Sequence, residues 1–247
     1  MNRPVLYLLP GLLCDATVWA SQIAAFGTRY DVRVPDWGQL ETFEAMAARV
    51  LDEAPDRFAL GGHSMGARVA LAIVRAAPDR VARLALLDTG THGVRAGEAD
   101  ARTALLDLAQ QRGMRALAER WLPPMVHPLH HADAALMDPL FAMVERMTPT
   151  RFKAQIAALL SRPDAVAWLS DIHCPTLIAV GAEDDWSPPS QHEAIAAAIP
   201  GASYVVFPSC GHMAPVEAPE AVNAALEAWL VPAEHGSARV RLAGAHR

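Results

Sequence analysis

Short apolar runs alternate with longer stretches of helical periodicity along most of this chain. Val5-Leu6-Tyr7-Leu8-Leu9 is uninterrupted and ends at Pro10-Gly11, the pattern of a strand covered on both faces. Five further strands are predicted from Asp31-Val32-Arg33-Val34, residues 57–62, Leu84-Ala85-Leu86-Leu87, Thr176-Leu177-Ile178-Ala179-Val180 and Tyr204-Val205-Val206-Phe207. Asp15 is a good N-cap for a helix that begins near Thr17. Over residues 40–54 the positions Leu40, Phe43, Met46, Ala47, Val50 and Leu51 recur at helical spacing. Residues 65–77 read as an Ala-rich helix stopped before Pro78, and helical pattern returns near 195–199 and 222–230.

This alternation predicts an α/β fold: a mostly parallel sheet of about six main strands, with helices on both faces. One interval breaks the rhythm. Residues 91–173 contain four or five helical segments punctuated by proline and no strand, too long a stretch for a loop. It reads as a helical cap inserted over one edge of the sheet. The organisation is then a core in two parts, 1–90 and 174–231, the insertion 91–173, and a tail 232–247 that lacks apolar periodicity and is expected to be flexible.

Composition narrows the function classes. Hydrophobic residues make up 52% of the chain, aromatic residues 6%, and the nineteen prolines are dispersed, which excludes a coiled coil. No apolar run reaches the roughly twenty residues a membrane helix needs, so no membrane insertion is expected. Net charge is −6, Lys153 is the only lysine, and the arginines are scattered along the sequence, so no nucleic-acid partner is expected. Cys14, Cys174 and Cys210 form no C-x-x-C pair and fit buried thiols in a reducing cytoplasm. The N-terminal apolar run ending at Cys14 is cut by Pro10-Gly11 and has Leu13 where lipoprotein processing needs a small residue; it reads as strand and turn, with no targeting signal.

Gly62-His63-Ser64-Met65-Gly66 satisfies G-x-S-x-G between a predicted strand and a predicted helix. Small flanks at such a sharp turn leave the Ser64 hydroxyl clear of the sheet, and the helix that follows directs its positive end toward developing charge. A serine needs a base, and the base an orienting acid. Downstream of the fifth strand lies Gly181-Ala182-Glu183-Asp184-Asp185-Trp186-Ser187-Pro188; downstream of the sixth lies Gly211-His212-Met213. His212 is the candidate base, and one of Glu183, Asp184 and Asp185 the acid. The backbone N–H of Met65, next to the nucleophile, and that of Leu12, after Pro10-Gly11, are the candidate oxyanion donors.

Together these parts resemble the α/β-hydrolase superfamily, in its serine-nucleophile, carboxylesterase-like branch, from about Val5 to Leu230. The resemblance selects Asp184 as the acid, three residues after Gly181 and four before Pro188, and matches Gly211-His212 ahead of Glu217-Ala218-Pro219. It identifies 91–173 with the family's cap, and it departs in having Pro10-Gly11 where many relatives have His-Gly. It implies a cofactor-independent serine hydrolase of carboxylic esters with catalytic residues Ser64, Asp184 and His212, and with no metal. Lactone, thioester and carbon–carbon cleavage remain open on the same triad, as does a ligand-binding receptor or scaffold without turnover.

His63 is expected to point away from the pocket, and His127, His130 and His131 to form a cap-surface cluster without a carboxylate motif for a metal. Most tryptophans are expected in the core, but Trp121, Trp186 and Met213 are candidates to line a substrate pocket. Met125, Met137, Met143 and Met147 either line that pocket or fill the cap. The apolar cap points to small or medium acyl groups, largely uncharged, with no arginine clamp legible.

Overall fold

Six parallel strands lie in the order β2-β1-β3-β4-β5-β6 in the computed structural model: β1 Val5–Leu9, β2 Asp31–Arg33, β3 Phe58–His63, β4 Val81–Leu87, β5 Thr176–Gly181 and β6 Ser203–Phe207. Residues 3–231 are described; the tail expected at 232–247 lies outside the described residues. Every residue of β1, β3 and β5 is buried, as their unbroken apolar runs require of strands covered on both faces. β6 is an edge, and its Tyr204 and Val206 are exposed. β4 begins at Val81, three residues before the apolar run, where Arg83 turns its guanidinium to the carbonyl of Trp229.

The helices are α1 Ala20–Phe26, α2 Phe43–Glu53, α3 Met65–Ala76, α4 Glu98–Trp121, α5 Ala134–Glu145, α6 Pro149–Leu160, α7 Pro189–Ala198, the short α8 Ala214–Glu217, and α9 Pro219–Leu230. Helices cover both faces: α2 packs on α3, which crosses β1, β3 and β4, while α1 packs on α9, which crosses β4 to β6. Asp15 does cap, accepting from Thr17 N–H, but what it starts is a 3-10 turn over Ala16–Trp19 that leads into α1. Thr42 caps α2 by accepting from Ala45 N–H, which moves its start to Phe43 and leaves Leu40 in the preceding loop.

Between β4 and β5 stand α4, α5 and α6 with three 3-10 turns and no strand. Gly113, at φ 84° and ψ 172°, breaks α4 into two helices, a conformation for which glycine is suited. No described helix is long and apolar enough to cross a membrane.

The topology fixes where a site can form. From β1 the chain runs on to β2 at one edge, and from β3 it runs to β4 on the other side. The ends of β1 and β3 therefore open a crevice beneath the helical insertion, where ligands bind in open parallel sheets.

Candidate active site

Ser64 occupies the turn between β3 and α3 at φ 54° and ψ −118°, a strained conformation for a residue with a side chain. Its N–H donates to Leu87 O at 2.9 Å, and Thr89 Oγ1 donates to Ser64 O at 3.0 Å, so neighbours on β4 and beyond fix the strained residue. The glycines of the motif are steric necessities. A Cβ on Gly66 would stand 2.2 Å from Leu9 O, and one on Gly62 2.6 Å from the backbone of Ala67.

His212 follows β6 and reaches Ser64: its Nε2 lies 2.8 Å from Ser64 Oγ. Its Nδ1 lies 2.8 Å from Asp184 Oδ2, after β5. The other oxygen of Asp184 accepts the N–H groups of Trp186 and Ser187, both at 2.9 Å. Burial works against a charge on Asp184, but the His212 ring and the Ser187 N–H outweigh it and hold the carboxyl below its ordinary range. An ionised Asp184 accepts from Nδ1–H, which leaves the Nε2 lone pair facing the serine hydroxyl. Of the other acidic candidates, Glu183 accepts Cys210 N–H at 2.9 Å and so braces the histidine loop, while Asp185 is exposed.

The loop after β1 lies against this turn. A Cβ on Gly11 would stand 3.2 Å from Ser64 Cβ and 3.3 Å from His63 O, so glycine permits the approach. Trp37 Nε1 donates to Pro10 O at 3.1 Å and anchors the loop. Leu12 and Met65 both line the cavity above Ser64, and among the described residues neither backbone N–H has a protein acceptor. Leu13, at φ 60°, donates its N–H to Oε1 of Gln155 on α6 at 2.9 Å.

Three supporting groups escaped the sequence reading. Asp88, fully buried at the end of β4, accepts Gly181 N–H at 3.0 Å and Ala214 N–H at 3.2 Å, tying β5 to the segment after His212. Burial and the nearby Asp184 charge push its carboxyl well above the ordinary range. Glu217 accepts Gly211 N–H at 3.1 Å and Met213 N–H at 3.0 Å on one oxygen, and His127 N–H at 2.7 Å on the other, binding the histidine loop to the cap. Gln155 is the third. Asp88 closes a strand and Glu217 sits in the Glu-x-Pro signature, so each left a faint sequence signal; Gln155 left none.

His63 packs beneath the site, with Nε2–H donating to His212 O at 2.7 Å. Burial and the neighbouring His212 hold its ring down to about 3, so it stays neutral and positions the base. His130 and His131 hydrogen-bond backbone carbonyls of Ser209, Pro123 and Val126, and His127 Nδ1 accepts Leu129 N–H. Cys14 and Cys210 are buried free thiols pushed up by desolvation, and Cys174 is half-buried.

The cavity above Ser64 has a volume of about 400 Å³, within the range of small-molecule sites. Trp121 and Trp186 line it, and Trp186, 47% exposed, stands at its mouth. Met213 does not line it: the side chain is fully buried in the core, because the tight turn after His212 points it inward. Met125 lines the cavity, whereas Met137, Met143 and Met147 are buried in packed core. The clearest departure from expectation is charge. Arg68, Arg95, Arg102 and Arg162 all line the cavity, although nothing in their sequence spacing indicated a clamp.

The sequence matches the alpha/beta hydrolase family over residues 6–225, nearly the whole described chain. The chain belongs to the alpha/beta hydrolase family. This hydrolase is 28% identical to a pimeloyl-[acyl-carrier protein] methyl ester esterase of Aromatoleum aromaticum, over 89% of this chain and 95% of that protein. It is 27% identical to a 2-hydroxy-6-oxononadienedioate/2-hydroxy-6-oxononatrienedioate hydrolase of Cupriavidus pinatubonensis, over 87% of this chain and 83% of that one. Among solved structures it is similar to a malate-bound thermophilic esterase from Thermogutta terrifontis, with a TM-score of 0.83 and 29% identity over 93% of this chain and 90% of that one.

Proposed function

We propose that this alpha/beta hydrolase is a carboxylic ester hydrolase working through an acyl-enzyme on Ser64. The carrying observation is the continuous relay from Ser64 Oγ to His212 Nε2 and from His212 Nδ1 to Asp184, with 2.8 Å at each step. Likeness to esterases of Aromatoleum aromaticum and Thermogutta terrifontis supports the reading.

His212 takes the Ser64 proton as Oγ attacks the acyl carbon, and Asp184 stabilises the imidazolium so formed. The tetrahedral oxyanion is received by the N–H groups of Leu12 and Met65. Each such donor contributes on the order of 3 kcal/mol to the transition state. Collapse expels the alcohol, protonated by His212. Water then enters and attacks the acyl carbon as His212 takes its proton; collapse breaks the bond to Oγ, His212 returns the proton to Ser64, and the acid leaves. Leu105, Trp121, Met125 and Leu159 supply an apolar wall for the acyl chain.

Lactones, thioesters and vinylogous diketones share the same attack on a carbonyl. The test is a panel of p-nitrophenyl esters, lactones, acyl-thioesters and a C–C substrate, with Ser64→Ala as control. Ester turnover that falls by about 10⁴-fold or more in Ser64→Ala supports the proposal. Preferential cleavage of another class reassigns the bond, and stoichiometric ligand binding without multiple turnover sinks the enzymatic reading.

A further inference from the structure

We propose that the substrate carries a carboxylate a few bonds from its scissile carbonyl, received by Arg68 inside the cavity and by Arg95 at its rim. This rests on the ester-hydrolase reading and names the class of ester.

The argument is an accounting of guanidinium partners. Arg162 donates to both oxygens of Glu98, at 2.7 Å from Nη1 and 2.6 Å from Nη2, and to the carbonyls of His92, Gly93 and Leu159. Arg102 donates to the same Glu98. Glu98 is thus shared by two of the four arginines. Arg68 makes one hydrogen bond, from Nη1 to His92 O at 2.9 Å, and among the described residues it is in no ion pair. The Arg95 side chain likewise has no described partner; only its backbone N–H reaches Glu98. The other acid lining the cavity, Asp88, is fully buried and committed to two backbone N–H groups.

A guanidinium offers five donors in a planar fork that matches a carboxylate. Arg68 is half-buried and Arg95 exposed at the rim, so each has donors left for an anion that enters the cavity. Burial and the neighbouring Arg162 bring the Arg68 guanidinium down to about 9, so it is still charged at neutral pH. Placement sets the reach. Ser64 stands at the N-cap of α3 and Arg68 in its first turn, roughly 6 Å onward along the axis, and both line the same cavity. A dicarboxylate half-ester of glutarate or adipate size spans that separation, with its methylenes against the apolar wall.

The carboxylate has two possible sources, the acyl part or the departing alcohol, and the substrates separate them. kcat/KM would be measured for monomethyl glutarate (acyl side), 4-acetoxybutanoate (alcohol side) and neutral dimethyl glutarate, using wild type, Arg68→Gln, Arg68→Lys and Arg95→Ala. Wild type is expected to favour one charged ester over the neutral diester by at least about tenfold, the scale of one charge-assisted hydrogen bond. Arg68→Gln should collapse that ratio, Arg68→Lys should keep part of it, and Arg95→Ala should weaken it. A wild-type preference for the neutral diester, or a charge preference that survives in both Arg68→Gln and Arg95→Ala, overturns the proposal.

If Arg68→Gln fails to fold by circular dichroism, inhibition of wild-type p-nitrophenyl acetate hydrolysis decides instead. Stronger inhibition by glutarate than by glutaramide supports the proposal, and equal inhibition overturns it. Failure to turn over any ester would defeat the ester-hydrolase reading by itself. Calorimetric binding of glutarate would then still test the anion site, and no binding would overturn it.

Discussion

The backbone N–H of Leu13, beside the candidate oxyanion donor Leu12, donates to Oε1 of Gln155 on cap helix α6 at 2.9 Å. Gln155 is buried, and Leu13 sits at φ 60°, so one amide oxygen from the cap holds a strained turn of the core loop. The loop that carries the candidate oxyanion donor Leu12 is thereby tied to the helical insertion. Arg146 reinforces the same contact from outside, through Asp15 and Thr17.

Replacing Gln155 by Leu leaves the Leu13 N–H buried and unpaired, a cost of about 1–3 kcal/mol. We expect a lower Tm together with a kcat on p-nitrophenyl acetate reduced by about tenfold, and Gln155→Glu, which keeps an acceptor, should recover much of the kcat. A kcat unchanged in Gln155→Leu would show that the loop holds its shape without the cap. Arg146→Ala, which breaks a surface pair, should cost no more than about 1 kcal/mol.

The three adjacent acids should separate by role. Asp184→Asn removes the charge that orients His212 and should lower kcat by about 10⁴-fold. Glu183→Gln keeps an oxygen for Cys210 N–H and should cost far less, and Asp185→Asn, on an exposed side chain, should be close to wild type. Equal losses in the three variants, measured on one ester, would overturn the assignment of Asp184.

Gly66→Ala should be among the most damaging small substitutions in the chain. Its Cβ would meet the Leu9 carbonyl at 2.2 Å, backbone against backbone, so β1 and α3 must separate. We expect a loss of about 3 kcal/mol or more by denaturant unfolding, or no soluble protein. Gly93→Ala, whose Cβ would meet nothing closer than 3.7 Å, should stay within about 1 kcal/mol of wild type.

Acid should expose the contribution of Glu98. Burial alone would raise its carboxyl, but Arg162, the Arg95 N–H and Arg102 outweigh that and bring it down to about 2, from an ordinary 4.5. A folded-state value below the unfolded one means the carboxylate form stabilises the fold above about pH 4.5, and that contribution is lost as pH falls through about 2. Glu98→Gln should be less stable than wild type at pH 7 by about 1–2 kcal/mol after allowance for solvent screening. The gap should narrow between pH 4.5 and 2; a constant gap in urea unfolding across that window would show the ion pairs to be energetically silent.

What the sequence determined on its own was whatever is encoded within a few residues of itself. The apolar runs of β1, β3 and β5 specify strands buried on both faces, and Gly62 and Gly66 specify the sharp turn that exposes Ser64, because period and steric size act locally. Strand alternation then placed the segments of Asp184 and His212 at the carboxyl edge of one sheet, the edge where Ser64 stands. Tertiary structure alone decided the rest. Arg68 on α3, Arg95 and Arg102 around the start of α4, and Arg162 after α6 come from three segments that share one cavity only in the folded chain. The same folding brings Gln155 to Leu13 and Glu217 to His127, and the turn after His212 buries Met213 away from the pocket. Charge in a cavity is a sum over residues whose proximity no local pattern encodes. The composition read as an apolar chain with scattered arginines, and folding made it a cavity with an apolar wall and four arginines along its lining.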